Sequence, residues 1–274
     1  MMKSFVNAAV LAAACSVLSP SLLAQWPRYQ TPGVPRTADG QPDLSAPTPK
    51  TSDGKPDLSG NWENRFGGGR RGGAGQPTDG PPTPTFFNVG AGFKEGLPFQ
   101  PWAADLRKKR MADNSKDNPD AWCLPMGFMQ FHLHPQPRKI IQTPGLIVII
   151  YEANYGLRYI YTDGRSLPNN DPTPWWYGYS IGKWDGDTLV VDTTGFRDGG
   201  WLDVNGSPYT DALKLTERFT RPNFGTLDIE IAIDDPKAYT KPFTVKLTQR
   251  IMVDSEMIEF VCNENEQSSK HFNK

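Results

Sequence analysis

The side chains best suited to chemistry begin with Glu217. It shares a strand-like face with Leu215 and Phe219, while Thr216 and Arg218 take the opposite face. A carboxylate among apolar neighbours is costly unless paired, and burial raises its pKa. That makes Glu217 a candidate general acid or base, with a structural salt bridge to Arg158 or Arg218 as the competing reading. Glu152 continues the alternate positions Leu146, Val148 and Ile150 and would reach the same space. Two facing carboxylates would support elimination or glycoside cleavage. Arg158 is the guanidinium placed to orient an anionic substrate by bidentate contacts. Arg165, in a turn, is equally a surface ion-pair partner.

His132 and His134 are two residues apart. On a strand both imidazoles would point the same way, a spacing that barrel metal sites use for two ligands. No third ligand lies in the neighbourhood, and Pro135 and Pro137 speak for an irregular loop. Metal-free proton transfer by one of these histidines therefore ranks ahead of a metal site, and no cofactor is expected. Trp175, Trp176, Tyr177, Tyr179 and Trp184 concentrate aromatic surface. Trp184 reads as core or turn anchor, whereas Trp175, Trp176 and Tyr179 read as a platform for a flat ligand at a pocket mouth. There is no Gly-x-Ser-x-Gly to carry a serine nucleophile, and Asp185-Gly186-Asp187 reads as a hairpin rather than a calcium loop.

These groups need a scaffold, and composition limits its kind. The 274 residues include 26 glycines and 26 prolines, about a fifth of the chain, against a typical share of roughly 12%. Such punctuation favours short strands joined by turns. The formal charge of −1 provides no basic field for nucleic acid or an anionic membrane.

Residues 1–24 read as a secretory leader: Lys3 is its one charge, Phe5 to Val17 are apolar, and Ala24 precedes the cleavage point. A lipoprotein signal ending at Cys15 is the competing reading, with its leucine one residue too early. The apolar stretch is too short to span a bilayer, and no integral membrane segment follows. A periplasmic or secreted location is expected. Cleavage would leave Cys123 and Cys262, which in an exported protein most simply form one disulfide.

Residues 25–100 read as a flexible Gly/Pro-rich arm with a first strand near 58–63. They hold a short duplication, Thr37 to Ser45 and Thr51 to Ser59, and a glycine-rich mobile loop over 66–80. The barrel domain is expected over 101–274. It opens with a helix from Pro101 to Asn114, since proline suits a first helical position and Ala103, Ala104, Leu106 and Lys108 favour helix. From Arg138 the period becomes two. Strands are predicted at Leu146 to Tyr151, Gly156 to Thr162, Trp176 to Trp184, Thr188 to Asp192, around Leu227 to Ile233, Phe243 to Ile251, and finally Met257 to Cys262. No strand–helix–strand alternation exists. The fold class is all-β: an antiparallel lipocalin-like barrel, with a sandwich as the alternative.

Two resemblances join this reading. Asp57-Leu58-Ser59-Gly60-Asn61-Trp62 resembles the Gly-x-Trp opening strand of lipocalin-like barrels, in which the tryptophan closes the barrel bottom. Longer blocks are similar to a large family of exported bacterial proteins with no established activity. They are Asp53 to Gly60, Cys123-Leu124-Pro125, Ile141 to Gly145, Asp163-Gly164-Arg165, Trp184 to Asp192, Glu217-Arg218-Phe219 and Cys262 to Asn265. The resemblance implies a secreted β-rich domain. This chain departs from the family pattern at Leu167 and Tyr209, where histidines are common, which puts any chemistry those histidines do in doubt here.

The resulting expectation is a secreted barrel enzyme doing metal-independent acid–base chemistry (lyase, isomerase or hydrolase type) on a small aromatic or carbohydrate-derived molecule. Glu217, Glu152, His132 and His134 would move protons while Arg158, Trp175, Trp176 and Tyr179 bind substrate. The rival is a non-catalytic periplasmic small-molecule-binding barrel in which these polar groups only satisfy one another. The oligomeric state is left open.

Overall fold

The computed structural model describes residues 29–64, 80–168, 173–262 and 264. The leader at 1–24 and nearly all of the glycine-rich loop lie outside the described residues. Nine strands follow in order: β1 (Gly60–Asn64), β2 (Arg138–Thr143), β3 (Leu146–Tyr151), β4 (Leu157–Tyr161), β5 (Tyr179–Asp185), β6 (Thr188–Thr194), β7 (Lys214–Asn223), β8 (Thr226–Asp234) and β9 (Phe243–Met252). Between β1 and β2 lie α1 (Pro101–Ala112) and the short α2 (Phe128–Leu133). Each strand pairs with its neighbour in sequence, and β1 also pairs with β9, Trp62 opposite Ile251, so the sheet closes on itself. The fold is a closed barrel, not a sandwich.

Closure with nine strands has a geometric consequence. Strand directions that alternate strictly cannot close an odd ring, so an odd number of neighbouring pairs must run parallel. Here that pair is β4 with β5, joined only through Ile160 opposite Ser180 and Tyr161 opposite Ile181. The other eight contacts are antiparallel. Hairpins suffice for most of them. Asp185 pairs with Thr188 across Gly186-Asp187, and Gly186 has φ +60°, the left-handed first position that a type II′ turn requires. A parallel neighbour instead needs a long crossover, which residues 162–178 provide.

Alternation decides what fills the interior. Leu215, Glu217, Phe219 and Arg221 of β7 are buried, as are Leu227, Ile229, Ile231 and Ile233 of β8 and Phe243, Val245, Leu247 and Ile251 of β9. β3 departs from expectation. Its buried residues are Ile147, Ile149 and Tyr151, while Leu146, Val148 and Ile150 are half-buried on the outer side. An apolar strand with two similar faces gives alternation nothing to choose between, so the inward face is the opposite of the one expected.

The two ends are stoppered differently. At one, Trp62 is fully buried, donates from Nε1 to the Leu58 carbonyl at 3.0 Å, and packs under the Arg221 guanidinium at 4.9 Å. At the other, α2 enters the barrel, and all six of its residues are buried. Gly127 caps it because no side chain fits: a Cβ there would lie 2.0 Å from the Trp201 carbonyl oxygen.

Two further expectations change. The chain before residue 101 contributes a full barrel strand, and Leu58, Val89 and Leu97 join the core, so the barrel does not begin at 101. Residues 257–262 form no strand, because β1 already occupies the edge of β9 that they would need. Cys262 is instead bridged to Cys123, 139 positions away. The disulfide thus ties the C-terminal segment to the chain leading into α2.

Candidate functional site

Inside the barrel β4, β5, β6 and β7 bring together the inward polar residues Arg158, Ser180, Thr193 and Glu217. The Arg158 guanidinium meets the Glu217 carboxylate in parallel, Nη1 donating to Oε1 at 3.0 Å and Nη2 to Oε2. Nε and Nη2 also donate to Ser180 Oγ at 3.2 and 3.1 Å, and Nη2 to Thr193 Oγ1 at 2.9 Å. From α2, His132 Nε2 lies 2.8 Å from Glu217 Oε1. A carboxylate only accepts, so Nε2 carries the hydrogen and Nδ1 is bare. That Nδ1 is buried without a hydrogen-bond partner among the described residues. Glu217 and Arg158 are 0% and 2% exposed and His132 is 1% exposed.

Electrostatics follow from this closeness. Burial pushes the Glu217 carboxyl upward, but the Arg158 charge and the His132 N–H outweigh it and hold the group at about 2. Burial lowers the His132 pKa despite its bond to Glu217, so the ring is neutral. The sequence-based expectation of a raised Glu217 pKa is therefore reversed. Charge and hydrogen bonding outcompete desolvation when the partner is a bidentate guanidinium.

The remaining candidates divide by position. His132 and His134 do not sit on a strand. His132 belongs to α2 and His134 follows its last residue, so they do not share a direction. His134 Nδ1 accepts from the Gln136 backbone at 3.2 Å and its ring meets Phe86 edge-on. Burial, with help from the Arg138 charge, lowers its pKa to about 4. Arg138 donates to the His132 and His134 carbonyls at 2.8 and 3.3 Å and so satisfies carbonyls that the end of α2 leaves open. Among the described residues no group of three or more His, Cys, Asp or Glu is gathered to hold a metal ion.

Glu152 does not face Glu217. It sits past the end of β3, and its Oε2 accepts the Ile258 N–H at 2.9 Å, pinning the C-terminal segment. Trp175, Trp176 and Tyr179 lie apart from the buried network. Tyr179 stacks on Tyr161 at 5.2 Å, Trp175 meets Tyr179 edge-on, and Arg197 covers Trp176 at 4.8 Å. Arg165 lies 3.8 Å over Tyr161, paired with Asp163 and donating to the Tyr179 hydroxyl. This is an outer patch flanking the parallel seam, not the lining of a barrel mouth.

A cavity of about 460 Å³ opens elsewhere, between α1, the β6–β7 connection and Lys237 of the β8–β9 connection. Trp102, Arg110, Asp198, Tyr209, Asp211 and Lys237 contribute to its lining. Sequence reading had singled out only Tyr209 among these, and only through a family departure. Trp102, one residue into a helix beginning with proline, is the signal that was available: a large indole at that point must cover something or be exposed.

No protein-family model, no curated protein and no solved structure matches this chain.

Proposed function

We propose that this protein is an exported small-molecule-binding barrel whose buried carboxylate is structural. One observation carries the reading: both oxygens of Glu217 are taken up by Arg158 and His132 at zero exposure. A general acid needs a proton to give near the working pH, and a carboxyl held at about 2 has none. The leader-like residues 1–24 and the Cys123–Cys262 disulfide support export to an oxidising compartment. The sequence blocks shared with the exported β-rich family support the same assignment. With the barrel interior packed, the ligand belongs in the cavity beside α1.

The test is a thermal-shift and calorimetric screen of the full chain against small hydroxylated and aromatic molecules, run in parallel with Glu217→Gln. Saturable binding with no product, retained by Glu217→Gln in whatever fraction folds, is the expected result. Turnover that vanishes in a folded Glu217→Gln protein would overturn the reading.

A second reading, metal-independent acid–base catalysis, has one observation in its favour. The unpaired His132 Nδ1, on a ring oriented by a carboxylate, resembles the orientation of a histidine general base. It requires α2 to withdraw so that a substrate can reach that nitrogen. Loss of turnover in His132→Gln, with the Glu217–Arg158 pair intact, would favour it.

A further inference from the structure

We infer that the cavity beside α1 takes a neutral, hydroxyl-rich ring of the pyranose kind; this rests on the binding reading above. Four features of the lining carry the inference. Trp102 is 44% exposed although its Nε1 donates to the Lys237 carbonyl at 2.8 Å. Its edge is anchored while the rest of the indole is left open, as a stacking platform requires. The electron-rich face of an indole favours the slightly positive C–H groups of a saturated ring.

Tyr209 provides the second feature. Its side chain is 1% exposed, and its hydroxyl is buried with no hydrogen-bond partner among the described residues. That hydroxyl is closed to solvent and rests against Gly200, so Tyr209 gives the cavity a rigid wall rather than a hydrogen bond. The ring cannot swing away to find another partner on the side of Gly200. A Cβ there would lie 1.8 Å from Tyr209 Cζ, so glycine is needed to seat it.

Charge is the third. Arg110 and Lys237 balance Asp198 and Asp211, and Lys237 is already paired with Asp211 at 2.6 Å. A lining with no net charge gives no preference to an ionised ligand. Donor and acceptor inventory is the fourth. The Arg110 guanidinium lies 4.2 Å over the Trp201 ring and spends Nη1 on the Gly206 carbonyl at 3.0 Å. Its Nε and Nη2 have no hydrogen-bond partner among the described residues. Asp198 offers only acceptors and Arg110 only donors, and a hydroxyl can answer either. The cavity volume falls in the range of roughly 300–1,000 Å³ usual for small-molecule sites.

Calorimetry of the full chain with glucose, maltose and cellobiose, against glucuronate and benzoate, tests this. A neutral sugar should bind and Trp102→Ala should weaken it about tenfold, whereas Tyr209→Phe should leave binding unchanged with its thermal midpoint unchanged or raised. Binding confined to glucuronate or benzoate and lost in Trp102→Ala would overturn the ligand class and leave the cavity as the site. Sugar binding that survives Trp102→Ala would overturn the cavity. No binding by any of the five, beside a positive result in the broader screen, would overturn the inference while sparing the binding reading.

Discussion

Arg158 and Glu217 face each other across the barrel interior as a two-point ion pair, Nη1 to Oε1 at 3.0 Å and Nη2 to Oε2, both residues essentially without solvent contact. They come from β4 and β7, so the pair spans the interior across the weakly joined β4–β5 seam. Breaking such a pair leaves one charge buried and uncompensated. Glu217→Gln should therefore destabilise the fold by about 3–5 kcal/mol in urea unfolding, and Glu217→Leu with Arg158→Met should recover much of that loss. A cost below about 1 kcal/mol for Glu217→Gln would mean the charge is not buried as described.

The same groups set an acid sensitivity. Glu217 is held at about 2 in the fold against its usual 4.5, so its contribution is complete above the usual value and is lost as pH falls towards 2. His132 and His134 act earlier. Both have folded pKa values below the usual 6.5, so the unfolded chain takes up protons first and stability falls as pH drops below that point. Unfolding free energy should decline from about pH 6.5 downward, in two windows. His134→Gln should flatten the upper window, and the Glu217→Leu/Arg158→Met pair should shrink the low one. A profile flat from neutrality to pH 4 would refute the histidine part.

The disulfide closes 139 residues of chain and anchors the approach to α2. Replacing Cys123 and Cys262 by serine should cost up to about 5 kcal/mol by loop entropy. Hydrogen exchange should then rise first at Phe128–Leu133, where the plug enters the barrel. Uniform loss of protection across all strands would show that the bridge does not act through the plug.

Gly127 tests the seating of that plug. Its backbone φ is −57°, so any residue could adopt its conformation, yet a Cβ would strike the Trp201 carbonyl. Gly127→Ala should therefore destabilise by about 1–3 kcal/mol, measured by thermal or urea unfolding, and alanine is also the poorer N-cap. A stabilised variant would place the plug differently.

At the opposite end, Trp62 is, with Trp201, one of the two largest fully buried side chains among the described residues and bridges the Leu58 carbonyl and Arg221. Trp62→Ala should cost about 3–5 kcal/mol by urea unfolding. A cost under half of that would argue that the strand pairing of β1, rather than this indole, closes the barrel end.

Much of the fold was legible in local pattern. Leu227 to Ile233 and Phe243 to Ile251 alternate with polar residues, so their inward faces follow from side-chain size and charge alone, and Asp185-Gly186 marks its own turn. Glu217 was legible for the same reason: Leu215 and Phe219 flank it on one face. β3 was not, since Leu146 to Tyr151 is apolar on both sides and either register looks equal to the eye. Thr193 lies one residue beyond the strand predicted at Thr188 to Asp192, although Leu189, Val191 and Thr193 share the inward side.

The sequence by itself determined the class of the fold, the period-two strands and the inward carboxylate, because each depends on neighbours within a few residues, and the cysteine pair, because removing the leader would leave two cysteines. Only the tertiary structure decided that Arg158 rather than Arg218 meets Glu217, that His132 arrives on a buried helix, and that Trp102, Arg110 and Tyr209 share one cavity. These are contacts between residues tens of positions apart. They follow from how nine strands close a ring, with one parallel pair forced by the odd count, and no local pattern carries that information.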